Sequence, residues 1–65
     1  MRLIVNGEPC ETAAALLPAL LAELGADPAR VAVIVNNRVI PAAERHACAL
    51  AAGDVVELLT FAGGG

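Results

Sequence analysis

Apolar and polar positions alternate from Arg2 to Asn6, with Leu3 and Val5 on one side of an extended chain and Ile4 on the other. Asn6-Gly7 follows at once, and a two-residue hairpin turn wants positive φ at both central positions. The return strand is expected over Glu8 to Thr12, with Pro9 confining it to a sheet edge. The period then changes. From Ala14 to Leu24 the leucines Leu17, Leu20, Leu21 and Leu24 fall on one helix face. Pro18 is harmless only in a first turn, so the helix is expected to start at Leu16 or Leu17. Gly25 closes it and Asp27-Pro28 prevents restart. Val31 to Asn36 reads as an apolar strand, Asn36-Asn37-Arg38 as a tight turn, and Val39-Ile40 as a short return ended by Pro41. Ala42 to Ala47 is expected as one irregular helical turn and Ala51 to Asp54 as a turn, with Asp54 shaping it through its side chain. Val55 to Phe61 is the last and longest strand. The predicted order is β-β-α-β-(β)-β, in one domain.

Composition narrows what such a domain can do. The chain has 65 residues and 58% apolar residues, but fifteen of these are alanine, so the core material is Leu, Val and Ile. Small size makes stability marginal, although domains of about 55–65 residues do fold alone. Four arginines, no lysine and seven acids give a net charge of −3. With Phe61 as the single aromatic, that argues against nucleic acid, which calls for a basic stripe and stacking platforms. The opening is too short in its apolar part for a signal peptide, and no run reaches the length of a membrane span. The chain is therefore expected in the cytoplasm. Cys10 and Cys48 show no CxxC spacing and read as small buried hydrophobes in a reducing compartment.

No catalytic constellation stands out. His46 is the single histidine, with no serine or cysteine beside it as a nucleophile. The acids Glu8, Glu11, Glu23, Asp27, Glu44, Asp54 and Glu57 are dispersed, so no metal site is expected. The isolated glycines Gly7, Gly25 and Gly53 are turn and cap residues rather than a phosphate loop. The remaining low-complexity piece is Gly63-Gly64-Gly65, which follows the last strand. A backbone without side chains is costly to order but thin, so it can thread a narrow slot in another protein and present a carboxylate there. A frayed end is the plainer alternative.

Taken in order, Met1-Arg2-Leu3-Ile4-Val5-Asn6-Gly7-Glu8, Leu20-Leu21-Ala22-Glu23-Leu24-Gly25, Val33-Ile34-Val35-Asn36, Val39-Ile40-Pro41, Gly53-Asp54-Val55-Val56-Glu57 and the terminal glycines resemble the ThiS family, the sulfur carrier proteins of thiamin biosynthesis. The resemblance spans essentially the whole chain. It implies an α+β, ubiquitin-like β-grasp fold: a mixed four- to five-stranded sheet packed on one short helix over residues 1–61, then a flexible tail over 62–65. One departure is Ala43-Glu44-Arg45-His46, where the family often carries an aromatic. Molybdopterin-type carriers share the fold and tail but are usually longer.

The resemblance also implies a role for the carboxylate of Gly65. An ionised α-carboxylate is a poor electrophile and needs activation. An E1-like adenylating enzyme would join it to AMP from ATP, a persulfide from a cysteine desulfurase system would displace AMP, and the resulting thiocarboxylate would pass sulfur to a thiazole synthase. ATP belongs to the partner, and this chain is expected to bind no cofactor and to be a cosubstrate rather than an enzyme. In a β-grasp sheet the last strand lies between the first and third. If Leu3, Val5, Val33, Val35, Val56 and Leu58 face the helix, then Ile4, Ile34, Val55, Glu57, Leu59 and Phe61 face outward. Ile4, Ile34, Leu59, Phe61 and Ala62, leading to Gly63, Gly64 and Gly65, are the expected partner interface. The alternatives are a ubiquitin-like modifier, a sulfur carrier of another pathway such as molybdopterin, and a plain interaction domain.

Overall fold

A computed structural model of the chain describes residues 1–60. The final-strand position Phe61, Ala62 and the glycines Gly63, Gly64 and Gly65 lie outside the described residues.

β1 (Arg2–Val5) and β2 (Glu8–Glu11) form the opening hairpin in antiparallel register, Val5 opposite Glu8. Asn6 and Gly7 have φ of 50° and 82°, the two positive values that such a turn requires. Alternation from the turn makes Ile4–Pro9 a pair without ladder hydrogen bonds. The missing N–H of Pro9 therefore falls on the outer side, and β2 is an edge strand as expected.

Helix α1 (Leu17–Glu23) begins without a side-chain cap. Its orphan donors are satisfied differently. The Leu17 N–H donates to the Cys48 carbonyl at 2.9 Å, Pro18 has no N–H, and Ala19 and Leu20 donate to Leu16 O. A returning bond from Leu50 N to Ala15 O, 2.9 Å, completes a small bridge between the helix start and residues 48–50. At the other end Gly25 adopts φ 69°, with Gly25 N–H bonded to Ala22 O and Ala26 N–H to Leu21 O. Those two bonds are a complete Schellman stop. Thr12, buried, donates its hydroxyl to the Glu23 carboxylate at 2.7 Å and accepts the Ala14 N–H at 2.9 Å. The end of β2 is thereby tied to the last turn of the helix.

β3 (Val31–Val35) and β4 (Arg38–Val39) pair antiparallel across Asn36-Asn37, which have φ of 51° and 67°. Arg38 is thus the first residue of β4 rather than the third of the turn, because both turn positions are filled by asparagines that tolerate the left-handed region. A 3-10 helix spans Ala42–Ala47, and β5 (Val55–Thr60) follows the Ala51–Asp54 turn. The sheet order is β2-β1-β5-β3-β4, with β5 parallel to β1 and antiparallel to β3.

Leu3, Leu17, Leu20, Val33 and Val56 are fully buried between the sheet's inner face and the helix, with Leu21, Val31, Val35, Ile40 and Leu50 around them. Val5 and Leu58 are partly buried against this cluster. Leu24 departs from the expected apolar stripe. It is 42% exposed at the C-terminal cap of the helix. The cysteines depart too. Both are free thiols and only half-buried, Cys10 on the edge strand and Cys48 at the end of the 3-10 helix. No helix among the described residues is long and apolar enough to cross a membrane.

Candidate functional site: the central strand and its outer face

β5 precedes the terminal glycines in sequence, and side-chain bonds hold it as well as its backbone ladders. Strands flank it on both sides, and three polar side chains add to the ladder. The Asn36 side chain accepts the Val55 N–H at 2.9 Å and donates to the Asp54 carboxylate at 3.0 Å. Asp54 in turn accepts the Ala51 N–H at 2.8 Å, which closes the turn before the strand as its residue type predicted. Farther along, Asn6 Oδ1 accepts the Leu58 N–H at 2.8 Å. The asparagines of both hairpin turns thus bend the chain and pin the beginning and the middle of β5.

The face away from the helix is mostly apolar. Pro9, Ile4 and Val55 lie across β2, β1 and β5 in one row, while Val39, Ile34 and Glu57 lie across β4, β3 and β5 in the next. Ala32 and Leu59 form a third row. Leu59 is 53% exposed, Val55 43% and Val39 64%, whereas Ile4 and Ile34 are half-buried by their neighbours. The expected outward positions Ile4, Ile34, Val55, Glu57 and Leu59 therefore share this face. Ile4 and Ile34 are not direct neighbours, since β5 runs between them. Phe61 and Ala62 of the expected interface fall outside the described residues, as does Gly65 with Gly63 and Gly64. Val39, the most exposed large hydrophobe of the described residues, was missed by sequence reasoning. A two-residue Asn-Asn turn places it opposite Ile34, and that count could have found it.

The rest of the surface offers little chemistry. His46 is exposed in the 3-10 helix, and Arg45 beside it is occupied in structure, donating from Nη1 to Pro28 O at 2.9 Å. No group of His, Cys, Asp or Glu among the described residues could hold a metal ion. The ion pairs Arg2–Glu11, Asp27–Arg30 and Arg38–Glu44 are exposed and contribute little to stability.

A five-stranded mixed sheet with one short helix crossing a single face, its last strand central, is the β-grasp architecture. Within that class the family model of the ThiS family matches residues 3–65. The chain therefore belongs to the ThiS family. It is 36% identical to the thiamine biosynthesis protein (ThiS) of Geobacter metallireducens, whose crystal structure superposes with a TM-score of 0.83, each chain fully covered. A solution structure of a thiamine biosynthesis protein from the same organism gives a TM-score of 0.80, also at 36% identity, covering all of this chain and 88% of that one. A thiazole synthase of Paramagnetospirillum magneticum is 39% identical over 66 residues, covering all of this chain. The chain spans 20% of the length of that curated relative.

Proposed function

We propose that this protein carries sulfur as a thiocarboxylate on Gly65 and delivers it for thiazole synthesis. The carrying observation is the placement of β5: a strand pinned on both sides, bordered by an apolar outer face, running directly toward the terminal glycines. An E1-like adenylating enzyme joins the Gly65 carboxylate to AMP, with pyrophosphate leaving ATP. The terminal sulfur of a persulfide, drawn from a cysteine desulfurase system, attacks the activated carbonyl carbon, and AMP departs. Cleavage of the acyl disulfide by a thiol frees the thiocarboxylate. ATP is the partner's substrate, and this chain is a cytoplasmic cosubstrate rather than a catalyst. The likeness of the whole chain to one fifth of a thiazole synthase supports that enzyme as the sulfur acceptor, since there a ThiS-like segment shares a polypeptide with the remainder.

The outer face supplies the handle by which partners hold the domain while the tail reacts. Burying it contributes about 25 cal/mol per Å² before association costs. Removing Gly64 and Gly65 tests the reading. The truncated domain is expected to fold as the full chain does and to lose sulfur transfer completely in a reconstituted thiazole-forming assay. Retained transfer would show that the tail is only a frayed end and that the domain acts as an interaction module.

A further inference from the structure

Asn6-Gly7 carries a reactivity that a hairpin turn does not need. The nitrogen of a glycine can attack the side-chain carbonyl carbon of the asparagine before it, because the glycine has no Cβ to shield that nitrogen. The other two asparagines are followed by Asn37 and Arg38, whose side chains crowd the same approach. Asn6 and Gly7 are both exposed, and Gly7 N–H has no acceptor among the described hydrogen bonds. Of the three asparagines, Asn6 is therefore the one whose amide is chemically labile.

Two features of the fold hold the reaction off. The φ values of 50° and 82° across a two-residue loop match a type I′ turn. The first central residue of such a turn has ψ of about +30°, the mirror of the type I value. At that ψ the Gly7 nitrogen lies nearly opposite Cβ about the Asn6 Cα–C bond, whereas ring closure needs the two on the same side. The second feature is the sheet. Asn6 Oδ1 accepts the Leu58 N–H at 2.8 Å, and Asn6 N–H donates to Val56 O at 2.9 Å. Bringing Cγ onto the Gly7 nitrogen thus breaks the Asn6–Leu58 bond and unwinds the turn together.

We propose that Asn6 is a self-modification site, deamidated only when the first hairpin opens away from β5. It stands apart from the sulfur-carrier reading. In the opened hairpin Gly7 N bonds to Cγ and gives up its proton, the Cγ–Nδ2 bond breaks, and ammonia leaves. Water then opens the five-membered imide, one water consumed for each ammonia released. Attack of water at Cγ leaves aspartate, which keeps an oxygen acceptor for Leu58 N–H and adds one negative charge. Attack at the main-chain carbonyl leaves isoaspartate, whose backbone runs through Cβ and Cγ. That product puts an extra atom into a two-residue turn, and its carboxylate sits directly on Cα, too short to reach Leu58. The first product is compatible with the fold; the second removes the pin from the middle of β5.

The test is the deamidation rate at each asparagine of the full chain, aged at mildly alkaline pH either native or unfolded in concentrated guanidinium. Trypsin cuts after Arg2, Arg30 and Arg38, which puts Asn6 on one peptide and Asn36 with Asn37 on another for mass spectrometry. Deamidation is expected at Asn6 well ahead of the other two in the unfolded chain. In the native chain it should be at least about a hundredfold slower, since it then waits on a rare opening. Denaturant below the unfolding transition should raise that native rate in step with hydrogen exchange of the Leu58 amide. Asn6→Asp, standing for the first product, should unfold near the wild-type midpoint, and the isoaspartyl form, separated by chromatography, below it. A native rate equal to the unfolded one, or one that does not follow Leu58 exchange, would overturn the gating. Equal rates at the three asparagines of the unfolded chain would overturn the site. An isoaspartyl form as stable as the wild type would overturn the loss of the pin on β5.

Discussion

Asn36 and Asn37 both occupy the left-handed region, at φ of 51° and 67°, yet they are not equivalent. The Asn36 side chain bonds to Val55 N–H and Asp54, whereas none of the side-chain hydrogen bonds described involves Asn37. Asparagine at such a position is tolerated and glycine is relaxed, so replacement by glycine separates backbone preference from side-chain bonding. Asn36→Gly should lower stability by about 1–2 kcal/mol through the two lost bonds. Asn37→Gly should stay within about 0.5 kcal/mol of the wild type. Urea unfolding of the two variants measures the difference, and equal losses would mean that the side-chain bonds of Asn36 contribute nothing. The turns were legible as turns from residue type alone. That their asparagines also hold the far strand was not, because Asn6 and Leu58, or Asn36 and Asp54, meet only after the sheet is assembled.

Among the elements, the helix shows where local reading stops. Its end was written in Leu24-Gly25, where a positive-φ glycine closes a Schellman turn. Its start has no capping side chain, and Pro18 fixes only which turn it occupies. The donor of Leu17 is satisfied by Cys48, thirty-one residues away, so a tertiary contact does what a cap residue does elsewhere. The cysteines, expected to be buried, are half-buried instead, Cys10 on the edge strand and Cys48 at the end of the 3-10 helix, where it packs against the core. The two faces of β5 were readable from alternation once the strand was placed centrally. They make opposite predictions. Leu20→Ala, removing a fully buried side chain opposite the sheet, should cost about 2–5 kcal/mol. For 65 residues at about 0.05–0.15 kcal/mol each, that is a large share of the total. Leu59→Arg, on the outer face, should leave the thermal midpoint near that of the wild type and weaken binding to the adenylating enzyme. Unfolding by Leu59→Arg would mean that the outer face is core.

At the scale of the whole molecule, the apolar side chains of the described sheet divide between a single core and a single open face. Between them runs β5, and the net charge of −3 leaves the apolar face with Glu57 as the acid among its central rows. The fold and family were legible because the order of short signals, hairpin, helix, strand pair and final strand, admits few arrangements in so short a chain. The outward face followed from that order; Val39 did not, since its face depends on counting the turn that precedes it. The proposed function rests on the Gly65 carboxylate, outside the described residues, and on chemistry that other proteins would perform there. Intact-protein mass spectrometry tests it most directly, after incubation with ATP, the cognate adenylating enzyme and a sulfur source. The account predicts a mass gain equal to one oxygen exchanged for sulfur, localised to Gly65. An unchanged mass, with the same enzyme active on another carrier, would contradict it.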